Sequence, residues 1–222
     1  ILISFSLLMS WLFPTVIAPL FNKFTPMEDG TLKQRIQTLL ERCGFHSEGI
    51  FIMDGSKRSG HGNAYFTGLG NNKRIVFYDT LVNSLEDEEL EAVLAHELGH
   101  FKCKHVIKML VSSSMITFIS FAVLGWLINE TWFYNGLGVE QPSHAAALLL
   151  FMLASPVFTA FMQPISAYFQ RKFEFEADSF AAEHAQASKL ISGLVKLYKE
   201  NANTLTPDPL YSAFHYSHPP AA

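Results

Sequence analysis

The stretch Ser84-Leu85-Glu86-Asp87-Glu88-Glu89-Leu90-Glu91-Ala92-Val93-Leu94-Ala95-His96-Glu97-Leu98-Gly99-His100 decides how this chain is read. Ser84 is an N-cap candidate with Asp87 three residues on, and the acids from Glu86 to Glu89 favour a helix N-terminus. The predicted helix carries His96 and His100 at i, i+4, so both imidazoles project from one face and can share a single ion. Glu97 sits between them and can reach an attacking water without being a ligand. Two neutral imidazoles, a third ligand and an open position are what a catalytic zinc site needs. Such a site lowers the pKa of water toward about 7 and polarises a scissile carbonyl, while Glu97 passes the proton to the leaving amine.

A third ligand should be a carboxylate or histidine on a neighbouring element, and Glu174 is well placed. Glu174 and Asp178 stand i, i+4 on a predicted helix from Arg171 to Glu183. The first can ligate, and the second can accept a hydrogen bond from the far nitrogen of a ligand histidine. Glu176 points to another face and reads as solvated. His105 reads as interfacial rather than as a ligand, and His46, His61, His144, His184 and His215 show no metal spacing. By spacing alone His218 is a surface-turn residue.

Around this motif the chain is unusually apolar. Of its 222 residues 49% are hydrophobic and 16% charged, against about 25% charged in an ordinary soluble domain. Three stretches are long and apolar enough to cross a bilayer, which takes roughly 20 helical residues. They are residues 1–21, with Pro14 and Pro19; about 106–128; and about 145–169, with Pro156 and Pro164. The chain opens on Ile1 inside the first of these, which points to a piece of a longer protein.

The 16 Lys and Arg avoid the 129–144 connection, and Lys102, Lys104, Lys108, Arg171 and Lys172 flank the apolar spans. That distribution follows the positive-inside rule and puts the motif on the cytoplasmic side. Trp126, Trp132, Phe133 and Tyr134 gather at the opposite end, as an interfacial belt would. Two crossings separate His100 from Glu174, so both fall on one membrane face, each on the order of 10 Å from the apolar boundary. That position suits a membrane-anchored substrate.

The expected organisation is a transmembrane span (1–21), a first part of a cytosolic domain (22–105), a transmembrane hairpin (106–169) and a second part (170–222). The first part should hold a helix from Thr31 to Arg42 stopped at Gly44, and strands at 50–53, 63–67 and 74–80. The last two are linked by a turn at 68–72. The fold class is therefore mainly α: membrane helices with an α+β metal-binding domain carrying a small sheet. Net charge −4 and pI near 6.1 offer no basic surface for nucleic acid. Two cysteines, Cys43 and Cys103, build no disulfide framework and fit a reducing compartment.

In order and spacing, these features resemble the integral-membrane zinc proteases of the type I CAAX prenyl protease family. The resemblance runs through Pro19 to Pro26, Gly55 to Ser59, Gly62 to Phe66, Lys73 to Val76, His96 to His100, Arg171 to Asp178 and His215 to Pro220. It implies a zincin-like metalloprotease domain with one zinc per chain, Glu174 as third ligand and Asp178 as its partner behind the histidine. It also turns His218 into a group beside the scissile bond that stabilises the oxyanion. Asn63 and Ala64 become part of an edge strand along which an extended substrate adds by β-pairing.

The family removes the last three residues from proteins bearing a prenylated cysteine, and encloses a chamber within a ring of membrane helices. The implied partners are a polypeptide substrate, prenylated and membrane-anchored, and the lipid bilayer. The implied site is an integral membrane protein of the endoplasmic reticulum or a bacterial inner membrane. Two other readings are a quality-control protease of the HtpX type and a non-catalytic zinc-containing protein that binds polypeptides in the membrane. Glu97 argues against the second, since binding alone does not need it.

Overall fold

The computed structural model describes residues 2–67, 73–200 and 207–219, and its elements fall into two units. The first comprises residues 1–103, 173–208 and 219–222, and the second comprises 104–172 and 209–218. In the first unit α1 (Leu2–Leu12) passes through a π-helical turn, Phe13–Ile17, into α2 (Ala18–Phe21). Pro14 lies in that turn, where its missing N–H interrupts the regular helical ladder. Residues 4–21 together are long and apolar enough to cross a membrane.

Four strands follow: β1 (Phe24–Pro26), β2 (Gly49–Met53), β3 (Ala64–Thr67) and β4 (Arg74–Tyr78), in the spatial order β1-β2-β4-β3. β2 and β4 are parallel, while β1 and β3 pair antiparallel at the two edges. The sequence reading missed β1, whose three residues include a proline of the kind tolerated only at a sheet edge. The expected turn at 68–72 lies outside the described residues.

β4 is central because Ile75, Val76 and Phe77 are all buried, covered on both faces. α3 (Thr31–Arg42) matches its predicted span and stops where Gly44 takes φ 56°, a left-handed conformation that suits glycine. The expected third strand ends early, because α4 (Asp79–Ser84) takes over at Asp79. α5 (Asp87–Lys102) starts later than Ser84 implied. Ser84 closes α4 and donates to Leu81 O, while Glu86 caps α5 through a reciprocal box with Glu89.

In the second unit Lys104, at φ 57°, separates α5 from α6 (His105–Leu127). The short α7 (Thr131–Gly136) leads to α8 (His144–His184), a 41-residue helix that continues through Pro156 and Pro164. The helix expected at 171–183 is present as the C-terminal part of α8, continuous with the third apolar span. Residues 144–172 of α8 belong to the second unit and 173–184 to the first. α6 and α8 are both long and apolar enough to cross a membrane, and side chains such as Phe118, Phe158 and Phe161 are exposed. An aqueous fold would bury such a surface, and a lipid one leaves it outside.

Within this unit a small core forms at the hairpin end, from Leu127, Phe133, Tyr134, Ala147 and Leu150. The expected aromatic belt is therefore divided. Trp126 and Trp132 stay exposed, whereas Tyr134 is buried and donates its hydroxyl to Ile128 O. Beyond α8 come α9 (Ala187–Glu200) of the first unit and α10 (Pro209–His215) of the second.

α5 runs through the core of the first unit. Leu90, Ala92, Val93, Leu94, Ala95 and Leu98 are buried, so the helix is apolar on most of its circumference rather than amphipathic. α3, α9 and β3 surround it. Its acidic first turns are held by cations on both flanks: Arg35 and Arg42 on Glu91, and Lys189 and Lys196 on Glu88 and Glu89. Glu89 is itself buried, with its carboxylate accepting from Lys196 Nζ at 2.6 Å and Ser192 Oγ at 2.8 Å. Among the described residues the architecture is mainly α, with one small mixed sheet.

Candidate metal centre

The C-terminal turns of α5 present the half-buried His96 and His100, whose Nε2 atoms lie 3.1 Å apart. From the first-unit end of α8, Glu174 Oε2 comes to 3.3 Å from His96 Nε2 and 3.6 Å from His100 Nε2. Ligand atoms about 2.1 Å from a zinc ion at the tetrahedral angle lie roughly 3.4 Å apart. The triangle therefore has the dimensions of three legs of a tetrahedron. Glu174 is 8% exposed, and a carboxylate so buried calls for a cationic partner. The donor set of two imidazoles and one carboxylate suits zinc.

Behind the triangle, Asp178 Oδ1 lies 2.8 Å from His96 Nδ1. With a carboxylate as partner, Nδ1 carries the proton and Nε2 keeps its lone pair toward the triangle. Burial opposes a charge on this ring. The hydrogen bonds from Asp178 and Glu174, with the negative charge of Glu97, outweigh it and push the His96 pKa up to about 9. A ring so surrounded by carboxylates attracts a cation, whether proton or metal.

Two small residues allow this approach. Gly99 is buried in α5, and a Cβ there would come within 2.8 Å of Ala177 Cα and 3.0 Å of Ala177 O. Ala177 is fully buried, one residue before Asp178 and three after Glu174. Gly99 and Ala177 thus bring the two backbones together, and the four polar side chains flank that contact. Gly99 was assigned no role from sequence. Its role depends on which residue of α8 faces it.

β3, also packed against α5, is an edge strand. Asn63 precedes it, and its carbonyl accepts from Tyr78 N–H at 2.9 Å. In an antiparallel ladder, hydrogen-bonded and non-hydrogen-bonded pairs alternate. With Asn63 committed to Tyr78, the register Ala64↔Phe77 and Phe66↔Ile75 turns the main-chain groups of Ala64 and Phe66 toward the open edge. The Ala64 N–H donates to Asn63 Oδ1 at 2.8 Å. Phe66 was not singled out from sequence, although alternation from Ala64 leads to it. His218 belongs to the second unit, three residues beyond the end of α10.

The sequence profile of peptidase family M48 matches residues 26–222. The chain is 42% identical to CAAX prenyl protease 1 of Saccharomyces cerevisiae, over 94% of this chain and 50% of that protein. It is 45% identical to the CAAX prenyl protease 1 homolog of Dictyostelium discoideum (99% of this chain, 52% of that one) and 34% identical to the human homolog (97% and 54%). The crystal structure of S. mikatae Ste24p superposes with a TM-score of 0.87 at 40% identity, covering 99% of this chain and 55% of that one. The chain spans about half the length of the curated relatives it matches.

Proposed function

This chain belongs to peptidase family M48, and from that premise we propose that it carries the active centre of a zinc-dependent membrane endopeptidase that trims prenylated CAAX-type proteins. The observation that carries the proposal is the triangle of His96, His100 and Glu174, 3.1 to 3.6 Å on a side, with Glu97 beside it on α5. His96, His100 and Glu174 would hold one zinc ion, which when bound would acidify water and polarise the carbonyl to be cleaved. Asp178 fixes the His96 tautomer and orientation. Glu97 takes the proton of the attacking water and delivers it to the leaving amine. His218 donates to the oxyanion that forms as the carbonyl becomes tetrahedral.

The substrate is an extended polypeptide pairing with the outward main-chain groups of Ala64 and Phe66 beside Asn63, an instance of strand addition. Its prenylated nature is supported by relatives that carry the name CAAX prenyl protease 1. Among the described residues, three helical segments of membrane-crossing length support a substrate delivered at a bilayer. The positive-inside pattern supports catalytic residues facing the cytoplasm, in the endoplasmic reticulum or a bacterial inner membrane.

The test is mass spectrometry of a farnesylated C-terminal peptide incubated with the full-length protein, unaltered and as Glu97→Gln. Glu97→Gln should keep about one zinc per chain, because Glu97 is not among the three ligands, and release no tripeptide. Cleavage by both forms alike would sink the mechanism. Zinc-dependent cutting of unprenylated membrane proteins alone would turn the reading toward the HtpX type.

A further inference from the structure

Arg171 and Lys172 flank the same apolar span and would count equally under the positive-inside rule, yet the structure treats them differently. Lys172 is exposed. Arg171 is half-buried and aims one guanidinium nitrogen, Nη1, at three main-chain carbonyls: Ser212 O at 3.3 Å, Ala213 O at 3.0 Å and Tyr216 O at 2.9 Å. All four residues lie in the second unit. The first two carbonyls belong to the last turn of α10, where helical carbonyls lack partners in the helix. The third lies beyond the helix end, after the chain has turned. Nη1 has two N–H groups for three acceptors, so the 3.3 Å contact with Ser212 O is the shared one.

That turn carries the chain into Ser217 and His218. Tyr216 N–H returns to Ser212 O at 3.0 Å, so Ser212 O is held from two sides. His218 is followed by Pro219, and a residue before proline is confined to extended backbone. Once Tyr216 is pinned, only Ser217 separates it from a backbone whose conformation is already restricted. Few rotations then remain to decide where the imidazole points.

We propose that Arg171 is a positioning residue for His218, acting through the carbonyls of Ser212, Ala213 and Tyr216 rather than through the membrane surface. The assignment rests on the reading of His218 as an oxyanion donor. Geometry sets the requirement, because a donor moved by about 1 Å can lose on the order of a hundredfold in rate. An arginine suits the task, since its planar, permanently charged fork reaches several acceptors at once, while a lysine ammonium offers a flexible point charge.

The experiment measures kcat, KM and zinc content in the full-length protein with a farnesylated peptide. The variants are Arg171→Gln, Arg171→Lys, Lys172→Gln, His218→Ala and the double variant Arg171→Gln/His218→Ala. Arg171→Gln should lower kcat about tenfold or more at nearly constant KM, with zinc stoichiometry intact. Arg171→Lys should recover part of that loss, and Lys172→Gln should match the unaltered enzyme. In the His218→Ala background, Arg171→Gln should cost nothing further, because the group it positions is gone. An undiminished loss in that background, or zinc lost in step with kcat, overturns the assignment. A normal kcat in His218→Ala overturns the role of His218 itself, and the assignment of Arg171 with it.

Discussion

Replacing Gly99 with alanine puts a methyl group where α5 and α8 leave no room for one. The new Cβ meets Ala177 Cα at 2.8 Å, Ala177 O at 3.0 Å and Phe180 Cβ at 3.1 Å. Carbon atoms in ordinary contact sit about 3.5 Å apart or more, so the Ala177 backbone must retreat by roughly 0.7 Å. Two of the three obstructing atoms are main chain, and no side-chain rotation removes them. Glu174 lies one helical turn before Ala177 and retreats with it, whereas zinc–ligand distances tolerate only about 0.2 Å.

Overpacking of this kind costs about 1–3 kcal/mol, and alanine returns about 1 kcal/mol in helix propensity over glycine. Net fold stability should fall by only about 0–2 kcal/mol, while the metal triangle takes the displacement. Each 1.4 kcal/mol is tenfold in an equilibrium constant, so the zinc dissociation constant should rise about ten- to a hundredfold. Chelator competition measures that change, and a thermal melt separates it from unfolding. Gly125→Ala, in a helix with nothing within 4 Å of the added carbon, serves as control and should leave affinity unchanged. An unaltered zinc affinity in Gly99→Ala would refute the claim that this close approach sets the triangle.

Asp178→Ala removes the 2.8 Å partner of His96 Nδ1 and should weaken zinc binding about ten- to a hundredfold, read by the same competition. Zinc affinity should also tighten as pH rises toward about 9, by up to about tenfold per unit, because His96 must release its proton to ligate. In metal-free protein that proton acts oppositely. A pKa raised from 6.5 to about 9 stabilises the fold fully below 6.5, and the contribution is lost as pH rises through 9, so the metal-free melting temperature should fall over that window. Glu89→Gln tests the anchor at the start of α5. Burial raises the Glu89 pKa, but the bonds from Lys196, the Glu86 N–H and Ser192 outweigh it and hold it below its usual 4.5. Its stabilisation is therefore present above 4.5 and lost as pH falls below. The substitution should cost about 1–3 kcal/mol at neutral pH and flatten the acid limb of the melting curve.

Much of the local structure was legible because it depends on spacing along the chain. The i, i+4 histidines, the α3 periodicity and the three apolar spans are patterns of 3.6-residue repeat and composition. Boundaries fared worse where two signals competed. Ser84 is a good cap by type, but Glu86 and Glu89 satisfy each other's backbone donors and start α5 later. The third span contains two prolines, Pro156 and Pro164, and was expected to cross the bilayer all the same. α8 continues from that span through Glu174, because a proline removes only one donor and a long apolar helix survives the loss. Phe133 and Tyr134 looked like membrane-interface residues, and only the fold of the hairpin end put them in a core.

His96-Glu97-Leu98-Gly99-His100 and Glu174-Phe175-Glu176-Ala177-Asp178 carry metal-binding chemistry in their own residue types, so the sequence by itself offered two imidazoles and a carboxylate as a candidate donor set. Tertiary structure alone decided that the three atoms form a triangle 3.1 to 3.6 Å on a side. It also decided that Asp178 lies behind His96, and that Gly99 faces Ala177. Spacing along a helix determines which side chains share a face. The distance between two helices 74 residues apart, from His100 to Glu174, depends on what fills the space between them, and here that is a hydrogen atom where any other residue would have a carbon.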